Sequence, residues 1–223
     1  LCESAPGRLV LGVGVGGEDR HEIEVCSVDP RTRGRRTNES LVALRALLSG
    51  KPVSHECEFF SFTDALIRPA PKPAVPITVG GRSDAAVRRA ARLGDGWIGA
   101  WCSSKRYGQV VSMFDELARD AGREQAEWRH GLQAWVGIND DRSKARERLA
   151  PAMEAFYRIP YERFEKYCPY GSAAEIAAFF APYVEAGCRE FNLAPVAEST
   201  ERSIDLLAHI KEILNRSTEP ACE

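Results

Sequence analysis

Short apolar runs of strand character alternate with amphipathic helical stretches about five times along this 223-residue chain. That alternation constrains the fold more than any single motif. The strand-like runs are residues 8–15 (RLVLGVGV), the ITVGG that follows Pro76, Gly96–Ala100, Gly131–Ile138 and Arg189–Pro195. Helical stretches separate them: Thr37–Gly50, Ser83–Gly94, 104–121, 142–157, one opened by a Ser172/Glu175 capping box, and a closing helix. Buried strands in regular alternation with helices imply a parallel sheet covered by helices. No composition shift marks a boundary, so a single α/β domain over residues 1–223 is expected.

Within the helices the apolar spacing predicts which faces are buried. Thr37 is the expected N-cap of the first helix and Gly50 its stop, with Leu41, Leu44 and Leu48 on one stripe. The next helix buries Val87, Ala90 and Ala91 and exposes Arg88, Arg89 and Arg92. Ile176, Phe179, Phe180 and Tyr183 face inward on a later helix that Pro182 is expected to kink. The last helix presents Ile204, Leu207, Ile210 and Leu214. The segment PVSHECEFFSF, within residues 52–70, reads as a small surface hairpin.

Charge and cysteine usage exclude several classes of partner. A net charge of −2 and a pI of about 6.2 argue against a nucleic-acid or acidic-membrane surface. The apolar runs are too short to span a bilayer, and no signal peptide is visible. Seven cysteines, at positions 2, 26, 57, 102, 168, 188 and 222, form no CxxC pair and have no histidine at zinc-site spacing. Their pattern points to a reduced, cytoplasmic chain with no metal site.

Two glycine motifs compete for a phosphate-binding role. In LVLGVGVGGED, Gly12, Gly14 and Gly17 satisfy G-x-G-x-x-G, the dinucleotide fingerprint. That motif needs a helix starting at its third glycine, and the next credible helix begins only near Thr37. The second motif has the required context: a strand, Gly80-Gly81-Arg82, then a helix capped by Ser83. Glycines admit close approach of backbone N–H groups, the helix start carries a positive dipole end, and Arg82 adds a charge suited to phosphate. By spacing alone, a tight turn with Arg82 facing solvent explains the same residues equally well.

At these residues the chain resembles the bacterial luciferase-like monooxygenases, and more closely their deazaflavin-dependent (coenzyme F420) oxidoreductase branch. Three segments carry the resemblance: GRLVLGVGVGG, the following RGRRTNESLVALRALLSGKPVSHECEFFSF, and PITVGGRSDAAVRRAARLGDGWIGA. The family fold is a (β/α)8 TIM barrel with ligands at the C-terminal strand ends. The resemblance implies that Gly80, Gly81, Arg82 and Ser83 hold the phosphate of F420, or alternatively of FMN. It also implies that Val13 and Gly14 lie near the ring system, where a glycine removes bulk beneath a flat cofactor. Packing inside the barrel is the competing reason for Gly12.

The five strands match the family's fourth to eighth, so the chain is expected to be an N-terminally incomplete or naturally reduced barrel, and it opens with Leu1. The catalytic acid or base is unassigned. His21, His55, His130 and His209 are candidates by chemistry, with His209 expected on the surface and His21 either at the pocket mouth or in an exposed loop. Trp97 and Trp101 either line a pocket or fill the core. The expected activity is hydride transfer between F420 and a small organic substrate. FMN-dependent monooxygenation is the alternative, and the competing class is a non-catalytic barrel remnant that binds cofactor or dimerises. Open sheet edges point to a homo-oligomer.

Overall fold

The structure, a computed structural model, describes residues 1–17 and 19–218; Cys222 lies outside the described residues. In chain order the elements are β1 (Leu11–Val13), α1 (Arg20–Glu24), α2 (Arg33–Leu47), β2 (Val53–Glu56), β3 (Ser61–Ala65), β4 (Ile77–Gly80), α3 (Asp84–Leu93) and β5 (Gly96–Ala100). They continue with α4 (Ser104–Asp120), β6 (Gly131–Ile138), α5 (Arg142–Tyr157), β7 (Tyr170–Gly171), α6 (Ala173–Glu185), β8 (Glu190–Val196) and α7 (Thr200–Thr218). The alternation read from the sequence is therefore present, with the expected hairpin formed by β2 and β3. By contact density the chain divides into two compact units. One holds Leu1–Ile98 with Met113–Arg129; the other holds Gly99–Ser112 with His130 onward.

In the first unit β1, β4 and β5 run parallel, with Val13 opposite Val79 and Val79 opposite Trp97. Ile77 and Val79 are fully buried and Thr78 nearly so, which is why ITVG reads as an unbroken apolar strand rather than an alternating one. Helix α3 lays Ala86, Val87, Ala90 and Ala91 into this core as its spacing predicts. Arg89 departs from the expectation of full exposure. It is half-buried and donates to Asn38 Oδ1 (2.6 Å) and the Gly34 carbonyl (3.2 Å), joining α3 to α2. Burial lowers its pKa from the usual arginine value.

Two expectations near the N-terminus are corrected. Helix α2 begins at Arg33, four residues before Thr37, and its N-cap is Thr32, which makes no side-chain capping bond. Thr37 lies inside the helix, its hydroxyl donating to the Arg33 carbonyl at 2.7 Å. A helix also follows Gly17 after all: α1, five residues long, capped by Asp19 and with no buried residue. It is too short and exposed to supply the dipole that the dinucleotide reading requires.

The second unit is built on β6, which pairs with β8 in parallel from Gly131↔Glu190 to Gly137↔Val196 and with the two-residue β7 at its C-terminal end. Leu149 and Met153 of α5 pack with Tyr161, Phe164 and Cys168 in a closed cluster. Helix α6 carries the expected capping box, and it continues through Pro182 to Glu185. Ile176, Phe180 and Tyr183 are buried there, while Phe179 is half-buried. In α7 the buried stripe is Ser203, Leu206, Ile210 and Leu214; Ile204 is exposed and Leu207 half-buried, so the predicted face is rotated.

Candidate functional site

Residues Gly80–Ser83 connect the end of β4 to α3, and the sequence explains each step of the turn. Gly81 has φ +142°, and a Cβ there would stand 2.6 Å from Ala86 Cβ, so both backbone and space require glycine. Its carbonyl accepts the Trp97 indole N–H at 2.7 Å, which ties the loop to β5. Trp97 is 2% exposed, so of its two expected roles the core one holds, with the added task of anchoring this loop. Ser83 caps α3 as expected, its Oγ accepting the Ala86 N–H at 3.3 Å. Arg82, Ser83, Asp84 and Ala85 are exposed at the positive end of the ten-residue α3. Asp84 sits in that first turn and offsets part of the positive field.

The end of β1 lies directly beside this turn. Val13 pairs with Val79, and a Cβ on Gly80 would be 3.8 Å from the Val13 carbonyl oxygen and 3.3 Å from Ile98 Cγ2. A Cβ added at Gly12 or Gly14 would meet nothing within 4 Å among the described residues. Among the described residues, packing therefore does not require a glycine at either position. Val13, Gly14, Gly80, Gly81, Arg82 and Ser83 are thus gathered at adjacent C-terminal strand ends, with an open glycine surface next to an exposed cationic turn.

At the opposite end of β4 the GDGW motif has a structural role that its letters do not announce. Asp95 Oδ2 accepts the Ile77 N–H (2.8 Å) and the Arg45 guanidinium (2.9 Å), and Arg123 lies 3.7 Å from the other oxygen. A Cβ on Gly96 would collide with the Arg129 carbonyl. The motif is a clamp on the strand starts.

The histidines are dispersed. His21 is exposed in α1, His209 is exposed in α7 as expected, and His130 is buried just before β6, where its carbonyl accepts two N–H groups at the start of β8. His55 lies in the hairpin against Glu39.

In the second unit Trp101 does line a cavity. The space, about 120 Å³, is bounded by Trp101, Trp135, Tyr157, Gln133, Ala100 and Ala134. Trp101 has φ +49°, rare for a bulky residue, and is held by ring contacts with Tyr157 (5.1 Å) and Phe164 (4.8 Å). Sequence reasoning missed Trp135, Tyr157 and Gln133. The period-2 pattern of β6, which leaves Gln133 exposed between buried Leu132 and Ala134, was the available signal.

Comparison with known proteins gives this geometry a context. The luciferase-like monooxygenase family profile matches residues 1–186. An uncharacterised protein of Mycobacterium tuberculosis is 28% identical over 152 residues, 68% of this chain and 52% of its own length. An F420-dependent glucose-6-phosphate dehydrogenase of Kineococcus radiotolerans is 34% identical over 125 residues, covering 55% of this chain and 35% of its own. The chain thus spans about half the length, or less, of these relatives. Among solved structures, an F420-dependent secondary alcohol dehydrogenase in complex with an F420–acetone adduct aligns at TM-score 0.77 and 23% identity, over 93% of this chain and 70% of that one. A monooxygenase from Streptomyces bottropensis aligns at TM-score 0.76 and 20% identity, over 95% and 70%. Those two likenesses concern the fold. With α/β barrel-type units in the expected order and a family match over most of its length, the chain belongs to the luciferase-like monooxygenases.

Proposed function

We propose that this chain is the cofactor-binding part of an F420-dependent oxidoreductase acting on a small organic substrate. The observation that carries the reading is the unfilled space over Gly12 and Gly14 beside the Gly80–Ser83 turn. A flat ring system needs side-chain bulk absent on one face, and a phosphate needs donors and positive charge close by; the two features adjoin here. In this reading Arg82 and the first turn of α3 hold the phosphate, Ser83 fixes where that turn begins, and Trp97 keeps the Gly81 carbonyl turned away from the anion. When bound, the deazaflavin supplies the hydride chemistry. The F420-dependent relatives favour it over FMN.

The test separates cofactor binding from folding. Titrations of F420 and of FMN, each followed by fluorescence, are expected to show binding of F420. Arg82→Gln should weaken it by roughly tenfold or more, because a hydrogen bond to a charged group contributes about 1.5–3 kcal/mol. Gly14→Val should abolish binding without lowering the melting temperature, since a Cβ there meets nothing within 4 Å. Gly81 is the wrong residue to probe, because its φ and its contact with Ala86 make any side chain disruptive. Binding of neither cofactor, or full affinity in both variants, overturns the assignment. Preference for FMN would instead favour the monooxygenase reading.

A further inference from the structure

Three side chains of unlike chemistry converge where the hairpin meets α2, and none belongs to the glycine turn. Glu39 comes from α2; His55 lies in β2, and Cys57 follows two residues later, in the bend just after the strand ends at Glu56. One ligand atom from each lies within 4.8 Å of the other two. Cysteine spacing alone gave no hint of this group, because its third member is sixteen residues away on another element.

The cluster is prearranged. The Glu39 carboxylate accepts the Phe59 N–H (3.0 and 3.1 Å to its two oxygens) and the Phe60 N–H (2.7 Å), so its position is fixed by the hairpin loop. The Cys57 N–H donates to the Phe60 carbonyl at 3.1 Å and closes that loop. The His55 ring stacks on Phe62 with centroids 5.5 Å apart. Its Nε2 is buried, 3.4 Å from Glu39 Oε1, and makes no hydrogen bond. A buried ring nitrogen aimed at a carboxylate but unbonded is a costly arrangement when nothing lies between them.

We propose that Glu39, His55 and Cys57 bind one zinc-type divalent cation that ties the hairpin to α2. Mixed oxygen, nitrogen and sulfur donors suit a borderline-soft ion rather than magnesium or calcium. Bonds of about 2.0–2.3 Å at tetrahedral angles place ligand atoms roughly 3.4–3.8 Å apart. The Nε2–Oε1 separation already matches, and Cys57, exposed on the turn, has the freedom to close the remaining ångström. On binding, the Cys57 thiol loses its proton to solvent, and the thiolate and carboxylate together neutralise the ion. Neighbouring cations work against it: Arg36 stacks over Phe59, and Arg88 and Arg92 line the adjoining groove, while Arg35 is paired with Glu58. The fourth position opens to that groove and takes water.

The experiment uses the tag-free chain titrated with Co2+ and then Zn2+. One equivalent of cobalt should produce a thiolate-to-cobalt charge-transfer band in the near ultraviolet, and zinc should abolish it by displacement. Cys57→Ser, a change at an exposed position, should remove the band. It should weaken zinc binding by more than the roughly 10–100-fold typical of losing an outer-shell partner. Zinc should also protect Cys57 from alkylation while leaving the exposed Cys26 reactive. The proposal is overturned by absence of the band, by a band that persists in Cys57→Ser, or by equal alkylation of Cys57 with and without zinc.

Discussion

At Gly96 a methyl group would occupy the space of the Arg129 carbonyl, whereas at Gly12 it would meet nothing within 4 Å. Gly96→Ala should therefore destabilise the chain by about 3 kcal/mol, the upper end of overpacking costs. Gly12→Ala should stabilise it by about 0.4–1 kcal/mol, through a less free unfolded chain. Urea midpoints of the two variants measure both; a neutral Gly96→Ala would show that the clamp at Asp95 is not tight. The sequence presents both positions as the same letter near a strand, and only the approach of a remote backbone separates them. The cysteines divide in a similar way. Burial pushes the thiols of Cys168 and Cys188 up to about 11. At pH 8 about one in a thousand of these groups is ionised, so a thiol reagent should modify exposed Cys26 and Cys57 quickly and these two hardly at all. Fast reaction at Cys168 would mean that the cluster around Leu149 opens readily.

Elements were legible in the sequence where their signals are local. The α6 capping box involves residues three apart, Ser172 Oγ accepting the Glu175 N–H and Glu175 Oε2 accepting the Ser172 N–H at 2.9 Å. The Ser172 N–H and hydroxyl hold the Glu175 carboxyl below its usual pKa. Its contribution is thus present above the unfolded carboxylate range and is lost as pH falls through the lowered value. Ser172→Ala should lower stability by about 1 kcal/mol, read as a drop in melting temperature at pH 7; no change would mean that α6 is held by its buried face alone. The start of α2 was not legible, because Thr32 caps it without a side-chain bond and Thr37 offers a better-looking letter. The face of α7 was misread for a related reason. Ser203 is buried and Ile204 exposed, so the choice of stripe rests on what the helix packs against.

On the scale of the molecule, a parallel sheet covered by helices followed from the alternation of apolar runs, whereas placing the β1 and β4 ends side by side came only from the resemblance to the luciferase-like family. The division into two units followed from neither, since no composition shift accompanies it. Among the described residues β1 ends its ladder, pairing with β4 on one side. That leaves a row of backbone donors and acceptors open to a second strand. The isolated chain should associate, and light scattering at micromolar concentration is expected to give more than one chain per particle; a stable monomer would count against the open edge. The division has a consequence for dissecting the protein. The chain leaves the first unit after Ile98, returns at Met113 and departs again after Arg129, so neither unit is a contiguous segment. A fragment ending at residue 129 would carry Tyr107 and Val110, both fully buried in the whole chain, with the surfaces that cover them removed. Tyr107 would also lose the Gly131 carbonyl that its hydroxyl reaches at 3.1 Å. No single cut frees either half intact, and the cofactor-binding reading has to be tested on the thread as a whole.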